Sequence, residues 1–144
     1  MEQKERRFEI TRAEFTLTQQ QVDKYDNLLS TTKTWATTLW IATVGWAFQI
    51  RHKEVFLISL LILGIFWFFD ALNKTFRQNY KKRREEVGAA LRHYYETDEP
   101  PEHFTAPQLP AQDLSGAWKN AFLPHLMLPY LVLMCISLVF YLNF

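Results

Sequence analysis

Three apolar stretches separated by charged ones set the organisation of this chain. The most apolar runs over residues 55–72, VFLISLLILGIFWFFDAL, where Ser59 is the one polar residue before Asp70. As a helix it reaches about 27 Å, close to the hydrocarbon thickness of a bilayer. Residues 35–50, WATTLWIATVGWAFQI, carry no charge but are shorter and richer in threonine. A third uncharged stretch, residues 126–144, closes the chain. The pattern predicts an all-α integral membrane protein: a helical hairpin of two spans at 35–72, then a third transmembrane helix at 117–144.

The polar segments read as helical cytosolic extensions. In residues 1–34, Phe8, Phe15, Val22 and Leu29 recur every seven positions, and Tyr25 and Leu28 widen that face. Such a narrow apolar stripe suits pairing with a second helix. Residues 73–96 contain no proline, so the second span is expected to continue as one basic helix, with Phe76, Tyr80, Val87, Leu91 and Tyr94 at helical intervals. The link RHKE, residues 51–54, is short enough to force an antiparallel hairpin. Residues 97–116 form an acidic loop with four of the six prolines, each removing a backbone donor and restricting its predecessor. Asp113 or Ser115 is placed to cap the following helix. Pro124 and Pro129 predict an interfacial entry segment and a kink.

Charge then sets orientation. Residues 1–34 hold six Lys or Arg and residues 74–84 six more, against two in the hairpin link. The positive-inside rule puts both arms in the cytoplasm, the RHKE turn outside and the C-terminus toward the outer face. The first 30 residues lack the apolar core of a cleavable signal peptide. With a net charge of +1 there is no global field to draw nucleic acid. Cys135 stands alone in an apolar run, as a small hydrophobe rather than a reactive thiol.

Three groups of residues are candidates for function. Thr34, Thr38, Ala42, Gly45 and Gln49 share one stripe of the first span. Small residues let helix backbones approach in lipid, and threonine hydroxyls can bond across the contact. The stripe either packs against the second span or lines a contact between subunits or a water-filled lumen. Asp70 lies at the end of the second span with Lys74 and Arg77 following on its helix, a candidate membrane-edge latch. Lys81, Lys82, Arg83 and Arg84 form a basic patch, either a solvated topology signal or a site for anionic lipid or a phosphorylated signal.

No Gly-rich phosphate loop, zinc-ligand spacing, nucleophilic triad or RNA-binding module occurs, and His52, His93, His103 and His125 are dispersed. The cluster HYYETDE, residues 93–99, reads as a solvated helix end. Enzymatic activity and a cofactor are therefore not expected.

The KTWA segment (residues 33–36), the FWFFDAL ending of the second span (66–72) and NYKKRREEV beyond it (79–87) resemble small bacterial membrane proteins with an FW-F-LDA segment. They resemble more loosely the SLATT-type two-helix effectors of bacterial defence systems. The resemblance covers residues 25–95. It implies a homo-oligomer in the bacterial inner membrane that permeabilises or depolarises the bilayer in anti-phage defence, on release by a partner. This chain carries no fused sensor, so membrane lipid, further copies of itself and a separate sensor or activator are the expected partners. A non-conducting anchor for a cytosolic enzyme is the rival reading; a small transporter is weaker, since no pair of broken helices marks a midplane site.

Overall fold

A computed structural model describes residues 3–99 and 113–144, and all regular structure among them is helical. The order is α1 (Gln3–Ile50), α2 (Val55–Thr97), α3 (Ala117–Ala121) and α4 (Pro124–Asn143). The proline-bearing residues 100–112 of the expected acidic loop lie outside the described residues. The polar arm and first apolar stretch are one unbroken α1. The second stretch and the basic segment are likewise one α2, as the absence of proline there predicted.

Both long helices stop on a left-handed residue that is not glycine. Arg51 (φ 58°) donates its backbone N–H to the Ala47 carbonyl at 3.0 Å, and Asp98 (φ 57°) donates to Tyr94 at 2.8 Å. Each closes the last turn through an i→i−4 bond, a position usually given to glycine. Past Arg51 the chain turns at once. Val55 and Phe56 donate to the His52 and Lys53 carbonyls, and α2 begins. Gly116, not Asp113 or Ser115, occupies the N-cap of α3, with no side-chain cap bond. A break at Leu123 precedes Pro124, which opens α4 where the missing N–H costs nothing.

The chain divides into two compact units. The first comprises Met1–Asp26 and Phe76–Asp113, the second Asn27–Thr75 and Leu114–Phe144. In the first, the seven-residue stripe of α1 meets the aromatic face of α2. Phe8 stacks on Tyr94 with ring centroids 5.1 Å apart, Phe15 lies over Gly88, Val22 and Val87 are buried, and Tyr25 stacks on Tyr80 at 5.7 Å. An ion pair lies within this seam. Arg83 donates from Nε and Nη2 to Glu14 Oε1 at 2.9 and 2.8 Å, and from Nη1 to Glu86 at 3.2 Å.

The second unit packs the later part of α1, the earlier part of α2, α3 and α4. Its core has three layers. Val44, Ala47, Val55 and Phe56 form the layer by the hairpin turn. Ala36, Leu63 and Tyr130 form the middle one, and Ala71, Ala121 and Leu126 the last. Alanine recurs in all three, so backbones come close and dispersion contacts multiply.

Replacing Glu14 by alanine removes two hydrogen bonds of the Arg83 guanidinium, whose side chain is 14% exposed, and leaves the one to Glu86. We expect a cost of about 3 kcal/mol in the first unit. The exchange Glu14→Arg with Arg83→Glu should recover part of it. Thermal unfolding followed by circular dichroism, read as a double-mutant cycle, checks this.

Candidate functional site

The second unit sets buried hydrogen bonds within its apolar core and leaves many large apolar side chains on its exterior. Among its most exposed residues are Leu142 (71%), Trp118 (70%) and Leu61 (65%), while Ser59, Asp70 and Ser137 are fully buried. Phe68, Phe69, Leu128, Val132 and Val139 are also exposed. The helices α2 and α4 are long and apolar enough to cross a membrane. The apolar part of α1 is shorter and carries threonines, and it does not meet that standard by itself. Most of those hydroxyls are absorbed within the helix: Thr34, Thr37 and Thr43 donate to the carbonyls of Ser30, Lys33 and Leu39.

Four sets of buried polar bonds join the helices of this unit. Trp40 of α1 donates Nε1–H to Ser137 Oγ of α4 at 2.7 Å, and Ser137 lies 2.9 Å from Ser59 Oγ of α2. Ser59 also reaches the Phe56 carbonyl at 2.7 Å. With one proton per hydroxyl, the order that satisfies every group is Trp40 to Ser137, Ser137 to Ser59, Ser59 to the carbonyl. Near the other end of the unit Tyr130 donates to Asp70 Oδ2 at 2.8 Å. Trp67 donates to the Ala121 carbonyl at 2.8 Å and Asn120 to Thr75 at 2.9 Å.

Against this frame each expected group takes a definite place. Thr34, Thr38, Ala42, Gly45 and Gln49 are all exposed. At about 100° per residue they fall in one arc of α1, roughly opposite the arc of Ala36, Trp40, Val44 and Ala47 that enters the core. The stripe therefore does not pack on the second span, one of the two uses expected for it. A Cβ added at Gly45 would meet nothing within 4 Å. Thr38 and Gln49 make no hydrogen bond among the described residues.

Of the expected latch, Arg77 turns to another acid. The Asp70 carboxylate is tied to Tyr130 of α4, and its Oδ1 has no hydrogen-bond partner among the described residues. Arg77 forms its ion pair with Asp26 of α1 through both Nε and Nη2. Arg77 stands seven residues beyond Asp70, about 10 Å along the helix axis, and acids on other helices lie closer. Lys74 is half-buried on the same helix.

The basic patch is corrected as well. Arg83 is committed to Glu14 and Glu86, and Arg84 donates to Gln19 Oε1 of α1 at 2.8 Å. Lys81 sits 3.8 Å from Glu85 on an exposed face, and Lys82 is exposed. Half the patch thus holds two helices together and offers no open cationic surface. A heptad of apolar residues on α1 calls for a partner helix, and arginines flanking the partner's face supply polar clasps for it.

Sequence reasoning did not find the Trp40–Ser137–Ser59 bonds or the Asp70–Tyr130 pair. One signal was available: Ser59 and Ser137 are each the one serine of an apolar stretch, and in lipid such groups need partners. Among the described residues no group of three or more His, Cys, Asp or Glu could hold a metal.

Ser137→Ala should leave the Trp40 N–H and Ser59 without their shared acceptor and donor, at a cost of about 1–3 kcal/mol. Ser59→Ala, at the chain's end, should cost less. Unfolding midpoints of the detergent-purified variants distinguish the two.

No protein-family model, characterised protein or solved structure matches the chain.

Proposed function

We propose that this chain is an integral membrane protein of three spans that works as a homo-oligomer and, when triggered, opens a leak across the bacterial inner membrane. The observation that carries this reading is the outward position of Thr34, Thr38, Ala42, Gly45 and Gln49, opposite the core face of α1. In lipid a lone helix gains nothing by presenting small and polar side chains. A second copy docking there gains close backbone approach and partners for Thr38 and Gln49. Lined by hydroxyls and amides, the same seam would give water a polar wall if the copies part. The apolar exterior of the second unit supplies the surface for lipid, and the lysine and arginine distribution keeps both arms in the cytoplasm. Defence against phage, and a separate protein or small signal as the trigger, follow from the resemblance to the SLATT-type effectors.

A non-conducting anchor for a cytosolic enzyme has one observation in its favour. Ile10, Leu17 and Tyr95 of the first unit are exposed apolar residues (42%, 59% and 73%) that a partner could cover.

Gly45→Leu separates these readings, because the space at Gly45 is open and the monomer should fold unchanged. The leucine variant should run as a smaller species in light scattering of the detergent-purified protein. On induced expression it should no longer collapse the membrane potential reported by a dye. Unchanged oligomer mass, or wild-type protein that leaves the potential intact, contradicts the proposal.

A further inference from the structure

The turn between α1 and α2 holds a concavity of about 660 Å³, lined by Phe48, Arg51, His52, Lys53, Glu54 and Phe144. Its chemistry is divided. Arg51 and Lys53 form no ion pair among the described residues, whereas Arg77, Lys81 and Arg83 are each paired with an acid. Lys53 leans over the Tyr141 ring, with Nζ 5.8 Å from the centroid. Glu54 faces the His52 ring at 3.6 Å, and both are well exposed. The opposite side of the hollow is aromatic. Phe48 and Phe144 meet edge to face with centroids 5.5 Å apart, and both remain nearly half exposed.

Arg51 adds a second observation. It adopts φ 58° at a helix end where glycine would sit without strain. A side chain retained in that conformation at a cost in stability points to a use for the guanidinium. The turn joins the ends of two apolar stretches, so in a bilayer these cations stand at the height of the lipid phosphates, with the phenylalanines at the start of the acyl chains. A guanidinium fork matches phosphate oxygens in pairs, and a lysine adds a point charge.

We propose that this concavity binds the headgroup of an anionic phospholipid, Arg51 and Lys53 taking the phosphate while Phe48 and Phe144 seat the first part of an acyl chain. The inference rests on the membrane reading above but not on the leak. Occupied by lipid, the site would brace the hairpin turn against the end of α4, both of which contribute to its wall.

The test uses the full chain in detergent, titrated with short-chain phosphatidylglycerol, phosphatidylcholine or inorganic phosphate and followed by native mass spectrometry and tryptophan fluorescence. Phosphatidylglycerol should bind saturably and more tightly than phosphatidylcholine. The double variant R51Q/K53Q should lose about fivefold in affinity per cation removed, while K81Q/K82Q should bind as the wild type does. Equal binding of both lipids, or R51Q/K53Q binding like wild type, overturns the proposal. So does displacement of the lipid by inorganic phosphate at matched concentration, which would mark a free-phosphate site. Should R51Q/K53Q lose helicity, R51G serves instead. It should raise the Tm in phosphatidylcholine by about 2–4 °C by relieving the left-handed strain, yet lose about fivefold of the anionic preference. R51G with full preference counts against us. Alkaline carbonate extraction of native membranes separates the two failures. Release of the chain sinks the membrane reading itself, and a retained chain with no headgroup preference sinks this inference alone.

Discussion

Beside an apolar core that includes Phe56, Leu63 and Leu126, buried polar groups that must find partners join the helices of this fold. In the second unit the residues removed from solvent include two serines, an aspartate, a threonine and an asparagine, while leucine, tryptophan and phenylalanine cover the exterior. In water the apolar core would still favour folding, but the leucine, tryptophan and phenylalanine of the exterior would stay wet. In lipid the balance reverses. Hydrocarbon outside costs nothing, and each polar group turned inward must find a partner because the solvent offers none. The bonds from Trp40 to Ser137 to Ser59, from Tyr130 to Asp70, from Trp67 to Ala121 and from Asn120 to Thr75 meet that demand. Each contributes about 0.6–2 kcal/mol, and alanines at the layer contacts supply the close packing that adds to them.

The first unit obeys the opposite rule. Its exterior is charged, its seam is aromatic, and an arginine within that seam gives two donors to Glu14 and one to Glu86. The same two helices, α1 and α2, thus pass from a segment stabilised by removing apolar surface from water to one stabilised by satisfying polar groups away from it. No break in either helix marks the change.

Much of this architecture was legible in the residues. The heptad of Phe8, Phe15 and Val22 called for a partner helix and the face of Phe76, Tyr80 and Val87 was visible as a face, but that the two meet was not. The four-residue RHKE link dictated an antiparallel hairpin, and the lack of proline between 55 and 97 implied a continuous α2. Two kinds of feature stayed hidden. Asp70 was read against cations on its own helix because local spacing is all that sequence displays. Its actual partner, Tyr130, arrives from 60 residues away. Arg83 and Arg84 likewise read as an open patch until the rotation of α2 against α1 was known, since four successive charges circle the helix and cannot share a face. The Thr34–Gln49 stripe was visible as a stripe, but which neighbour it addressed depended on where Ala36 and Ala47 found theirs.

The claim on which the account turns is that the apolar exterior of the second unit meets lipid. Cys135, the sole thiol, lies exposed near the middle of α4 and reports on that surface without any substitution. In sealed native membranes a charged maleimide should leave Cys135 unlabelled from either side. Full labelling should follow dissolution in SDS. Ready labelling of Cys135 by the charged reagent in intact membranes would contradict the account.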